Sequence, residues 1–182
     1  YGCGPSQSSL RLPSTLVTIG AGAFGKCTGI VSDLVIPDSV TAVGSGAFSG
    51  CTGLQSVTIG SGVAAIGAEA FKGCTGAVIN NLTAKSAVTA IGDGAFEGCA
   101  SFGEGFALPS GLLTLGARAF LDCALPAELS IPAGVTSIGQ DAFLDTGYQG
   151  SSLLAALTVD PGSAAYSSRD GILFDKDATK LI

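Results

Sequence analysis

The 182-residue chain contains no histidine, no methionine and no tryptophan. The missing histidine weighs most, because it removes the commonest general base and the commonest metal ligand together. No serine or cysteine then has an imidazole to activate it, and no spacing fixes two acids in one pocket. Charge is also scarce. Only 12% of residues are charged, 14 acidic against 8 basic, and the net charge of −6 is scattered without a block of one sign. That balance speaks against a basic groove for nucleic acid. Long apolar runs are absent too. The longest, such as Leu153 to Leu157, are a few residues, against roughly 20 for a membrane-spanning helix.

What is abundant is glycine, 28 residues, and small or β-branched apolar side chains within a hydrophobic share of 47%. This composition favours short strands over amphipathic helices. It is also ordered. Ala-Phe pairs place Phe24, Phe48, Phe71, Phe96, Phe120 and Phe143 at spacings of 24, 23, 25, 24 and 23 residues. Five residues before each Phe stands an aliphatic followed by Gly, from Ile19-Gly20 to Ile138-Gly139. Three residues earlier stands another: Leu16, Val40, Val63, Val88, Leu112 and Val135. A strand-like stretch precedes it, often closed by Pro, as in Leu34-Val35-Ile36-Pro37 and Leu129-Ser130-Ile131-Pro132.

A unit of this length cannot bury its own apolar side, so neighbouring units must stack. The Val-x-Ile alternation predicts one inward-facing strand per turn. Pro ends the pairing, and Gly after the aliphatic allows a corner with positive φ. Phe fills the middle of each coil, and Ala is small where coils approach closely. The Gly-x-Gly pairs, such as Gly44-Ser45-Gly46, read as corner residues, since no strand–GxGxxG–helix unit surrounds them. Cys3 lies one period before Cys27, so the chain is expected to start inside a repeat and to be a segment of a longer one. Beyond residue 146 the period lapses. Gly171–Phe174 and Lys180–Ile182 read as a hairpin around Asp175-Lys176-Asp177-Ala178-Thr179.

The unit IPDSVTAVGSGAFSGCTGLQSVTIG, residues 36–60, resembles the BspA-like, or Treponema pallidum type, leucine-rich repeat. The tail LTVDPGSAAYSSRDGILFDKDATKLI, residues 157–182, resembles a recurrent element of the same proteins. Departures are local: Thr146 stands in place of Cys, Asp122 and Asp145 in place of Gly, and residues 78–82 form an irregular strand. The resemblance implies a right-handed leucine-rich-repeat solenoid, mainly β, with short 3-10 or turn segments on the other face and six to seven coils. Residues 1–146 would be the repeats, and 147–182 the last repeat strand with its irregular hairpin. The resemblance further implies a non-catalytic surface or secreted protein, without cofactor, that serves in adhesion and recognition of protein or glycan. A structural spacer or scaffold subunit contacting its neighbours in an extracellular assembly is the alternative.

Four features remain as candidate chemistry. Cys3, Cys27, Cys51, Cys74, Cys99 and Cys123 share one repeat position and read as a column of buried packing thiols. Disulfide Cα separations overlap the coil spacing, so distance leaves neighbouring pairs open, while parallel side-chain directions argue against them. Asp175-Lys176-Asp177 has the start of a calcium loop but Lys180 at its sixth position, and reads as a turn. Asn81-Leu82-Thr83 matches the N-glycosylation sequon. A threonine array at Thr18, Thr41, Thr89, Thr114 and Thr136 is broken by Ala64, Ala65 and Leu113. The expected partner-binding face is the outward side of the strand: Arg11, Asp33, Val35, Ser56, Thr58, Thr83, Glu128, Ser130, Ala156 and Thr158. It is poor in the Tyr, Trp and Arg that dominate binding hot spots.

Overall fold

The computed structural model describes residues 9–83, 85–144 and 154–182. Each repeat folds into one coil of a β-solenoid, and among the described residues there is no helix. Strands are numbered in chain order, β1 to β14. The coil carries two strands where the sequence suggested one. The aliphatic-Gly segments form a six-stranded parallel sheet: β1 (Thr18–Ile19), β3 (Ala42–Val43), β5 (Ala65–Ile66), β7 (Ala90–Ile91), β9 (Thr114–Leu115) and β11 (Ser137–Ile138). These strands are only two residues long, too short for alternation to announce them. Six rungs enclose five full turns, slightly fewer than the six to seven coils expected.

The segments expected to be strands form a second parallel sheet, and it is interrupted. Strands β2 (Asp33–Val35), β4 (Ser56–Thr58), β6 (Val78–Asn80) and β8 (Ser101–Phe102) make one part. Strands β10 (Glu128–Ile131) and β12 (Ala156–Val159) make another. The rest of each coil is turns, with one 3.3 Å or shorter bond closing each, such as Cys51 N–H to the Phe48 carbonyl and Ala47 N–H to Gly44.

Inward positions stack in columns. Leu34, Val57, Ile79 and Leu129 line one side, and Val43, Ile66, Ile91 and Leu115 the other, all buried. Between them runs a file of phenylalanine rings. Phe24, Phe48, Phe71, Phe96, Phe120 and Phe143 stack nearly parallel at centroid separations of 5.2 to 5.9 Å. The four inner rings are fully buried.

The glycine after each aliphatic does a different job from the one expected. Its φ is not positive; the left-handed positions are two residues later and just before the cysteine. Those positions are Gly22, Gly46, Gly50, Gly73, Gly94 and Gly98, but elsewhere Lys26, Glu69, Arg118, Asp122 and Asp141. Gly44 and Gly92 are instead held by close approach: an added β-carbon would lie 2.5 Å from the amide nitrogens of Ala21 and Ala68 in the coil below. No side chain fits there.

The tail makes two antiparallel pairings. One joins β13 (Tyr166–Arg169) to β14 (Ile172–Asp175). The other is the expected hairpin: residues 173–175 meet 180–182 through the Phe174–Leu181 bridge, with Asp175 N–H donating to the Lys180 carbonyl and Ile182 N–H to the Leu173 carbonyl.

Candidate interaction surface

In the second sheet, the outward side chains fall in register. Asp33, Ser56, Val78 and Ser101 form one row, and Val35, Thr58 and Asn80 the next. Asp33 and Val35 are exposed, Ser56 and Thr58 half-buried. Glu128 and Ser130 pair with Ala156 and Thr158 on the separate β10–β12 sheet. The expected face is therefore two patches. Two of its members lie off it: Arg11 is exposed but in no strand, and Thr83 lies in a bend beyond the end of β6. Val78, Asn80 and Ser101 take their places, a substitution hidden by the irregular sequence of residues 78–82.

The interruption has a local cause. After β6 the chain bulges through Asn81, which has φ 65°. The next coil bulges at residues 103–107. Gly103 passes directly under the Asn80 side-chain oxygen, and Ala107 N–H reaches the Leu82 carbonyl at 3.4 Å. Phe102 and Phe106 turn inward and meet Phe96 and Phe120 edge-on. Two wide aromatics thus fill the arc that a slim Val and Ile fill elsewhere. Asn81 itself is exposed on this bulge.

The polar groups of the face are partly committed. The Ser56 hydroxyl donates to Asp33 at 2.5 Å. Asp38 accepts the Ser61 N–H at 2.7 Å, which holds its carboxyl below the usual carboxylate value. On the turn side, Lys72 sits between Glu97 at 3.1 Å and Glu69 at 3.4 Å, and the Glu97 bond raises its pKa. In the tail, Asp175 accepts from the Thr179 hydroxyl and amide and from Lys180 N–H. These bonds, the hydroxyl's first, lower its pKa. Its oxygens serve the turn. No group of three or more His, Cys, Asp or Glu side chains able to hold a metal occurs among the described residues.

Three of the five threonines of the array are spent in the same way. Thr41, Thr89 and Thr136 each turn their hydroxyl back onto a carbonyl of the preceding coil, at 3.2 Å.

Cys51, Cys74, Cys99 and Cys123 are free and buried. Each thiol also donates to the phenylalanine carbonyl of the preceding coil, at 2.9 to 3.2 Å. The repeat position is a packing site with a directed hydrogen bond. Burial pushes the Cys74 and Cys123 thiols up to about 12, and Cys99 well above its ordinary value. Cys27 departs from the column and is disulfide-bonded. The parallel-direction argument holds for the four inner thiols, each tied to a neighbouring carbonyl, but not for this end of the file. Cys3 and Thr146 lie outside the described residues.

The described residues include no helix long and apolar enough to cross a membrane. The profile of the family described as BspA type leucine rich repeat region matches residues 1–76 and 28–149, with six copies. Among solved structures, a leucine-rich cell surface protein from Faecalibacterium prausnitzii is 29% identical with a TM-score of 0.59; the match covers 91% of this chain and 48% of that one. A leucine-rich repeat protein from Bacteroides ovatus is 31% identical with a TM-score of 0.57, covering 70% of this chain and 33% of that one. A third, from Eubacterium ventriosum, shares the fold at 22% identity and a TM-score of 0.64, covering 79% and 36%. The chain spans less than half the length of each. No curated protein matches it significantly.

Proposed function

Because this chain belongs to the BspA type leucine-rich repeat family, we propose that it is a non-catalytic recognition module, displayed on the cell surface or secreted, that engages a protein or glycan. The observation that carries the reading is the outward-facing, in-register strip of exposed Val35 and half-buried Thr58 and Asn80. It is bounded on one side by the bulges at Asn81 and at residues 103–107. Val35 is 60% exposed, an apolar side chain left in water beside hydroxyl and amide groups. The surface localisation draws on the Faecalibacterium relative, which is a cell surface protein. We read residues 1–146 as the recognition body and 147–182 as its closing segment. The exposed Asn81 would accept an N-glycan if the chain passed through a eukaryotic secretory route.

The test is capture of extracellular-matrix proteins and a glycan array by the folded chain, beside Val35→Glu and Thr58→Arg variants. Retained partners that both variants lose would support the reading. Partners that both variants keep would sink it. The scaffold alternative rests on the low charge and on exposed Val17 and Val31, near the first coil. It predicts self-association that Val31→Glu abolishes and Thr58→Arg leaves intact.

A further inference from the structure

Charge on the strands of the second sheet has one sign. Asp33 and Glu128 are exposed there, and no Lys or Arg stands on any of those strands. Neither carboxylate has a basic partner, since the ion pairs among the described residues are those of Lys72. Beyond the strands, the same arc carries exposed Asp38, Glu104 and Asp160 against Arg11 and Lys85. With a net charge of −6, the field over this face attracts cations and repels polyanions.

Asp33 is also held in place. The Ser56 hydroxyl donates to its Oδ1 at 2.5 Å, and no described group donates to its Oδ2. Two residues before it and two after it stand Val31 and Val35, 56% and 60% exposed. Val78 follows Asp33 and Ser56 in the same row. A fixed carboxylate with one open oxygen, set between exposed aliphatic side chains, suits a lysine or arginine. The stem packs on hydrocarbon while the charged head reaches the acid.

An extended polypeptide presents such a side chain with apolar neighbours two residues away on the same side. A sulfated or sialylated glycan brings charge of the wrong sign. The outward residues of β2, β4 and β6 also include no aromatic ring for a sugar to stack on.

We propose that the occupant of this face is an extended polypeptide segment in which a lysine or arginine is flanked by aliphatic side chains. The cation pairs with Asp33, and the aliphatic side chains cover Val31 and Val35. This rests on the recognition reading above and narrows its partner to a basic segment of protein. Val35→Glu would set a second, unpaired carboxylate beneath the partner, so that variant loses the segment although its added charge has the attractive sign.

The test titrates the folded chain with blocked heptapeptides of alternating Thr and Val whose central Val is replaced by Lys or by Glu, and with a heparin fragment. Backbone amide shifts in nuclear magnetic resonance are the readout. The lysine peptide should move the amides of Asp33, Val35 and Thr58, and at low salt should bind about threefold or more tighter than the glutamate peptide. Asp33→Asn keeps an acceptor for the Ser56 hydroxyl and should erase that preference. Asp141→Asn makes the same change in net charge at an exposed residue of the opposite arc and should keep it. A lysine peptide that does not bind, a glutamate peptide bound as tightly, a preference that survives Asp33→Asn, or these amides moved by heparin alone overturns the proposal. A partner captured by the strip and lost in Val35→Glu and Thr58→Arg, but showing no preference for lysine, leaves the recognition reading standing and removes this one. If nothing binds the strip, both fall.

Discussion

The two sheets of one coil obey different rules. From the aliphatic at Val40, Val63, Val88, Leu112 or Val135 through the Phe, spacing never changes, and Cys follows Phe by three residues in five coils. All variation in period lies in the arc between Cys and the next aliphatic, which is 12 to 14 residues. The constant part builds the unbroken six-stranded sheet, the ring file and the thiol bonds. The variable arc builds the second sheet, and there the ladder breaks after β8. The lesson is a division of labour: rigidity is concentrated where backbone meets backbone, and freedom to change length is kept on the opposite arc, where the candidate binding strip lies.

The largest expected contrast sets Gly92→Ala against Gly105→Ala. The first drives a β-carbon to 2.5 Å from the Ala68 nitrogen and should prevent native folding or cost several kcal/mol in urea unfolding, in the manner of severe overpacking. The second has open space around it but φ 75°, and should cost about 1 kcal/mol. Equal losses would erase the distinction between the two arcs. Phe71→Ala should come next, at about 3–5 kcal/mol, because the ring is fully buried between two stacked neighbours.

The thiols sharpen the comparison through pH. Their folded pKa is raised by burial, so the neutral form is the one the fold favours. Stability from this source is complete below the unfolded thiol value near 9. It is lost as pH rises from there towards about 12, the folded value of Cys74 and Cys123. Urea midpoints should therefore fall above pH 9, and a Cys74→Ala variant should fall less. In the native state the four thiols should resist a thiol reagent at pH 8; after unfolding without reductant, those four should react and Cys27 should not. Labelling of Cys27 under those conditions would remove its bond. Smallest of all, Thr58→Ala on the variable arc should move stability by no more than about 0.5 kcal/mol. A larger loss would show that the strip is structural.

Much of this was legible from residue spacing. The repeat, the inward columns and the ring file follow from Phe, Val and Ile positions alone. The β1-to-β11 sheet was not, because two-residue strands leave no alternation to read. The break in the second sheet was not either: Gly103 under Asn80, and Phe102 and Phe106 rotated inward, depend on where a loop of variable length chooses to bulge. Nor does a cysteine at a packing position announce that its thiol donates to a carbonyl one coil back. On the candidate strip, alternation alone places Val35 and Thr58 on the outward side, whereas Thr83 lies beyond the strand because the chain leaves it at Asn81 with a left-handed residue.

The file of phenylalanine rings also gives this protein an optical property. There is no tryptophan and only three tyrosines, so the six near-parallel rings at 5.2 to 5.9 Å are a regular array of coupled chromophores. Their near-ultraviolet circular dichroism should be collective, scaling with the length of the unbroken file and not with the number of rings. Opening coils from one end would shorten the array, whereas removing Phe71 would cut it in two. The molecule thus carries an internal ruler for how many of its coils are closed.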